Sequence, residues 1–266
     1  MAELQPFKGI RYNSEQLPME KLITEPYDRI PSSMQEEYYQ RHPYNIIRII
    51  LGKDIESDHP EKNKYKRAKI YLDEWLKKGI LIKEDKESFY IYQQEFKVND
   101  QWKKRTGLIA RVKLEDFSLK KVLPHERTFP KPKEDRLNLL RATNSNTEQI
   151  FLLYQDEANR INQIINQILA DSYLACNIKD EDEIIHKLWV IKDEKTIKDI
   201  QELMKDKVLI IADGHHRYET SLNYRDEIRK KLGQVRGDEP FNYIMMTLFN
   251  LDDPGLIILP TYRLVK

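Results

Sequence analysis

From Gln149 onward the chain alternates short apolar runs with segments of helical length, and no other feature limits its fold as strongly. The runs "QIFLLY", "HKLWVI" and "KVLIIA" have the length and the β-branched or aromatic content of buried strands. Residues 157–171, 194–206 and 215–232 read as helices set among them, so the second half is expected to be α/β-like, a sheet flanked by helices. Two more apolar runs, "FNYIMMTLF" and "GLIIL", follow before the closing "PTYRLVK". An ending so soon after a strand suggests a chain truncated at its C-terminus.

The first half has a different rhythm. "PFKGIRYN" reads as a short strand, "EPYDRIP" as a connector, and a helix is expected from Ser33 to about His42. The β-branched "PYNIIRIIL" over 43–51 reads as a buried strand. Tyr65, Ala68, Leu72, Trp75 and Leu76 recur at helical spacing within 60–78, and Gly79 is placed to stop that helix. Residues 88–113 alternate as an antiparallel hairpin turning near Asn99 and Asp100. Pro124, Pro130 and Pro132 then argue against regular structure until about Glu134. The fold class is therefore α+β, with mixed sheets and flanking helices. Residues 1–118 form an N-terminal region with the hairpin and 119–266 the core, an arrangement also compatible with one unit.

Composition narrows the partners. Lys plus Arg number 45 against 44 Asp plus Glu, so a net charge of +1 gives no global field for nucleic acid or an anionic membrane. The charged fraction of 33% and a mean hydropathy of −0.71 describe a heavily solvated surface. No apolar run reaches the roughly 18 residues of a membrane span, and the N-terminus lacks a signal peptide's regions, so a cytoplasmic protein is expected. Cys176, the one cysteine, excludes an internal disulfide and a cysteine-cluster zinc site, and falls in a helix-like region.

Chemistry concentrates in "LIIADGHHRYETSLNY", residues 209–224. A buried strand there gives way to Asp213 and Gly214, and His215, His216 and Arg217 open a helix. The first amides of a helix lack intrahelical acceptors and its dipole favours anions at that end. Arg217 adds a permanently charged fork, and the two histidines add donors set by pH. Asp213 would repel a phosphate unless it caps the helix, takes a proton or holds a bridging Mg²⁺. Glu219, four residues beyond His215, is placed to fix that ring's tautomer. Three readings stand side by side: a capped strand-to-helix turn, an anion site, and a histidine metal site short of a third ligand.

"IADGHHRYETSLNYR" closely resembles the signature of a conserved, functionally uncharacterised family known as a domain of unknown function or as ParB-like (SpoOJ-like). "PFKGIRYN", "PYDRI", "PYNIIRI", "LPHERTFPKPKEDRL", "IFLLY" and "DDPGLIILPT" resemble its other blocks, in order. Where that family would carry Pro-Thr-His-Arg, this chain has Pro260, Thr261, Tyr262 and Arg263. More distantly, the Asp-Gly-His-His-Arg turn resembles that of the ParB proteins, sulfiredoxin and the free serine kinase. The kinase also has a Pro-His-Glu segment, matched here by Pro124, His125 and Glu126.

That resemblance implies a ParB/sulfiredoxin-like core with a helical insertion, and a Mg²⁺-nucleotide-dependent phosphotransferase acting on a small hydroxyl-bearing metabolite such as an amino acid. Asp213, Gly214, His215, His216 and Arg217 would hold the phosphates of ADP, ATP or CTP, with Asp213 toward Mg²⁺. Glu126 would serve as base with His125 beside it. Asp135 and Arg136 would line the site or merely start a helix, and Tyr27 and Asp28 rest on the family similarity alone. The alternative is a nucleotide-binding ParB-like regulatory module that touches DNA, against which stand the near-zero charge and the lack of a helix-turn-helix signature. The sequence sets no oligomeric state.

Overall fold

The computed structural model of the chain describes residues 2–126 and 130–258, with backbone alone for 130–132. In chain order the elements are β1 (Leu4–Gln5), β2 (Ile10–Tyr12), α1 (Ser32–Arg41), α2 (Ile47–Ile50), α3 (Lys64–Lys77), β3 (Leu81–Lys83), β4 (Phe89–Val98), β5 (Gln101–Lys113), β6 (Val122–Leu123), α4 (Pro130–Thr143), β7 (Ile150–Tyr154), α5 (Arg160–Ile168), β8 (Tyr173–Lys179), β9 (Ile185–Ile191), α6 (Glu194–Met204), β10 (Leu209–Asp213), α7 (His215–Leu232) and β11 (Tyr243–Asn250).

Local chemistry accounts for several of these boundaries. The β4–β5 hairpin turns on Asn99 and Asp100, at φ of 49° and 63°, the left-handed pair that matches the twist of the flanking strands. The Asn63 side chain accepts from the amides of Tyr65 and Lys66 and so starts α3. Gly79 ends it at φ 69°.

Nine strands form one mixed sheet in the order β6-β10-β7-β11-β5-β4-β9-β8, with β1 added against β5; β2 and β3 pair separately. β6 runs parallel to β10 and β7 parallel to β11, and the other pairings are antiparallel. The β5–β11 ladder joins residues from both halves of the chain, Tyr243 opposite Lys113 through Phe249 opposite Gly107. One sheet face is the main core, where Ile91, Leu108, Leu152, Ile211 and Leu248 meet Ile161 and Ile165 of α5 and Ile197 and Ile200 of α6. A second cluster around Trp75, Leu72, Ile49 and Leu139 packs α2, α3 and α4 together, and α4 in turn lies against α7.

Four sequence expectations give way. "PYNIIRIIL" is a turn followed by the short helix α2, not a strand; Ile47, Ile49 and Ile50 are buried against helices, where burial alone does not discriminate helix from strand. Helix α4 begins at Pro130, ahead of the expected Glu134, because the first turn of a helix needs no amide partner there. Cys176 lies half-buried on strand β8, not in a helix. Gly255–Ile258 carries no strand, and Pro260–Arg263 falls outside the described residues. Among the described residues no helix is long and apolar enough to cross a membrane.

Candidate functional site

The parallel pairing of β6 with β10 decides where the chemistry collects. Val122 is opposite Leu209 and Leu123 opposite Ile210, so the chain leaves both strands at the same end of the sheet. Pro124, His125 and Glu126 continue from β6, and Asp213, Gly214 and α7 continue from β10. The carboxyl ends of neighbouring parallel strands are where open sheets most often place ligands. The two motifs, 87 positions apart from Glu126 to Asp213, are thus brought together by backbone pairing alone.

Their side chains form a hydrogen-bonded chain. His125 Nδ1 lies 2.7 Å from the Ile211 carbonyl oxygen, which can only accept, so Nδ1 carries the proton. The His125 backbone amide donates to His215 Nε2 at 3.2 Å, which leaves the His215 proton on Nδ1. That Nδ1 faces Glu126 Oε1 at 3.1 Å. The two imidazoles meet edge to face, centroids 4.5 Å apart. The His215 side chain is 1% exposed and the Glu126 side chain 51%, so a buried ring presents a solvent-facing carboxylate. Burial pushes the His215 pKa below its ordinary value, with Glu126 pulling the other way. The partner of His215 is therefore Glu126, while Glu219 pairs with Lys133 at 2.8 Å.

His125, Glu126 and His215 also place three candidate metal-binding atoms within 4.8 Å of one another. A metal would need a lone pair from each imidazole. His215 commits Nε2 to an amide and Nδ1 to Glu126, so the arrangement is a hydrogen-bonded chain and not a coordination sphere.

On the other side of the turn, Gly214 has φ 95° and no side chain caps α7, so Asp213 is not a helix cap. Asp213 Oδ2 instead accepts from Arg217 Nη2 at 2.6 Å, and Arg217 Nη1 donates to the Gln149 carbonyl at the start of β7. The Asp213 side chain stays 64% exposed. His216 is half-buried at the second position of α7. A Cβ on Gly214 would sit 3.0 to 3.2 Å from the Arg217 Nε, Cζ and Nη2 atoms, on top of the positive φ. Gly214→Ala is expected to cost about 1–2 kcal/mol in chemical denaturation, the usual penalty of a left-handed L-residue. An unchanged midpoint would mean that the turn can relax.

Next to Arg217 lies a cluster that motif spacing could not reveal. Arg136, 6% exposed, donates to Asp135 Oδ2 at 2.5 Å, to Glu148 Oε2 at 3.1 Å and to the Ile50 carbonyl at 2.8 Å. The Tyr27 ring lies 3.8 Å from its guanidinium carbon, and the Tyr27 amide donates to Glu148 Oε1 at 3.3 Å. Burial pushes the Glu148 pKa up, with Arg136 and Arg217 opposing. An open depression of about 350 Å³ borders this cluster, lined in part by Arg136, Glu148, Arg217, Thr220 and Ser221. Tyr27, Asp135 and Arg136 therefore converge, Asp28 remains exposed, and Glu148 is the member that sequence reasoning missed. Lone acids ahead of a strand carry no local signal.

A family model described as a protein of unknown function (DUF1015) matches residues 4–266. No curated protein and no solved structure matches the chain. With nearly every residue inside the matched range, the chain belongs to the DUF1015 family.

Proposed function

We propose that the protein is a Mg²⁺-nucleotide-dependent phosphotransferase acting on a small hydroxyl-bearing metabolite. The observation that carries this reading is the 3.1 Å approach of the Glu126 carboxylate to His215, the first residue of the helix behind the Asp-Gly-His-His-Arg turn. Phosphoryl transfer needs donors on the moving phosphate and a carboxylate that orients or deprotonates the attacking hydroxyl, and little other protein chemistry. The amides at the α7 N-terminus, Arg217 and His216 supply the donors. Glu126 supplies the carboxylate, with one oxygen held by His215 and its side chain half open to solvent.

Within this reading His215 positions Glu126, because its ring is buried and both its nitrogens are engaged. His125 is a positioning residue as well, through its amide. Arg217 keeps Nε and a second proton on each terminal nitrogen for an anion, beyond the bonds to Asp213 and Gln149. The donor set fits Mg²⁺ carried by a nucleotide: Asp213 is an exposed carboxylate beside the turn, and Mg²⁺ commonly takes one or two carboxylates with the substrate's phosphates. The ParB/sulfiredoxin-like ancestry of this core is part of the same proposal.

Calorimetric titration with ADP, ATP and CTP, each with Mg²⁺, tests the reading, and binding of at least one is expected. Arg217→Ala should weaken it by about 1.5–3 kcal/mol, the range of a hydrogen bond to a charged group. No binding of any of the three would end the reading. Nucleotide binding without transfer to any hydroxyl would favour the ParB-like regulatory module instead.

A further inference from the structure

The sheet face turned away from α5 and α6 carries an arginine without a carboxylate. Side chains alternate along each strand, so Ile91, Leu108, Leu152 and Leu248 enter the helical core while Tyr92, Arg105, Phe151, Thr247 and Phe249 project from the opposite face. The Arg105 guanidinium carbon lies 5.4, 5.6 and 5.7 Å from the ring centroids of Phe96, Phe151 and Phe249. Phe151 and Phe249 stack at 4.4 Å and 14°. Arg105 Nε donates to the Gln94 amide oxygen at 2.8 Å, and no carboxylate pairs with the guanidinium among the described residues. Burial pulls the Arg105 pKa below the usual guanidinium value.

A half-buried cation without a counter-charge is costly unless something else satisfies it. Thr247, 4% exposed on the same face, has a buried Oγ1 with no hydrogen-bond partner. Phe151 links both orphans to the phosphate turn: its ring lies 5.6 Å from the Arg105 guanidinium carbon, and Thr247 is its partner in the β7–β11 ladder. Phe151 is opposite Asp213 in the β7–β10 ladder, and Gln149, two residues earlier, receives the Arg217 hydrogen bond. Cα partners on adjacent strands are about 5 Å apart, the scale of the sugar that separates a base from its phosphates.

We propose that Arg105 and Phe151, backed by the buried ring of Phe249, form the nucleobase subsite for a nucleotide whose phosphates lie on the 213–217 turn, a proposal that rests on the phosphotransferase reading. A guanidinium stacks on aromatic faces and donates to ring nitrogens and carbonyls of a base, which answers its missing carboxylate. Phe151 offers the adjoining stacking surface.

The test is calorimetry on the whole chain with Mg²⁺-ATP and Mg²⁺-CTP against Mg²⁺-tripolyphosphate, which has the phosphates but no base. A nucleotide is expected to bind about tenfold or more tighter than tripolyphosphate, within the range of one base–aromatic stack. Arg105→Met and Phe151→Leu should each remove most of that advantage and leave tripolyphosphate affinity unchanged, which also verifies the fold. Phe151→Tyr, which keeps the ring, should retain it. Equal affinity for nucleotide and tripolyphosphate, or variants that keep the preference, would overturn the subsite while leaving the turn's role standing. Binding of none of the three ligands would overturn both.

Discussion

Glu126→Gln is expected to leave nucleotide binding nearly intact while lowering phosphate transfer by about 10² to 10⁴-fold, the usual worth of a positioned general base. The amide preserves the side chain's shape and can still accept from His215 Nδ1, so the hydrogen-bonded chain through His125 survives. What it loses is the ability to take a proton from the acceptor. Rates measured under single-turnover conditions with each candidate hydroxyl compound separate this from a binding defect. Full activity in the variant would show that the base lies elsewhere.

Arg136→Ala carries the largest expected effect on stability, about 3 to 5 kcal/mol, as for other buried pairs that lose one partner. It strands Glu148, whose carboxylate has the Arg136 guanidinium and the Tyr27 amide as its close partners, and it removes the cation under the Tyr27 ring. It also frees the Ile50 carbonyl, so α2, α4 and the Tyr27 turn lose a common tie. Removing both charges with Arg136→Met and Glu148→Leu should restore part of the loss, because no uncompensated charge then stays buried. Denaturant midpoints of the two single variants and the double variant measure this coupling. Additive losses would mean that the pair does not act as a unit.

Most of the sheet was legible because its signals are local. The apolar runs that became β7, β9, β10 and β11 are bounded by turn residues, and α7 spans 215–232 as read, between Gly214 and Gly233. The failures share one cause: short apolar stretches do not declare their partners. Ile46 to Ile50 suits a strand by composition and folds as a helix because Trp75 and Leu72 wait on α3. The strand holding Cys176 was hidden in a segment of mixed polarity, and its place is set by pairing with β9. Pro130 misled because a proline is a barrier inside a helix and an ordinary first residue of one.

The candidate site divides the same way. Asp213 to Arg217 and the Pro-His-Glu segment were visible as motifs, but the parallel β6–β10 register that joins them is a tertiary fact. The role of His215 also could not be read from spacing. Its position suggested a donor to phosphate, and the His125 amide, which follows no motif, turns it toward Glu126. Arg136, Glu148 and Tyr27 lie more than a hundred positions apart at the extremes and meet only in the folded chain.

The central claim is that Glu126 and the 213–217 turn form one hydrogen-bonded unit through His215. Its most direct test is the tautomer of the His215 ring by ¹⁵N NMR at neutral pH. The account predicts a neutral imidazole protonated at Nδ1 and unprotonated at Nε2, with an Nδ1–H shift that is the signature of the Glu126 hydrogen bond and changes when Glu126 is replaced by Ala, while the tautomer, set by the His125 amide, persists. A ring protonated at Nε2, or a signature indifferent to Glu126, would contradict it.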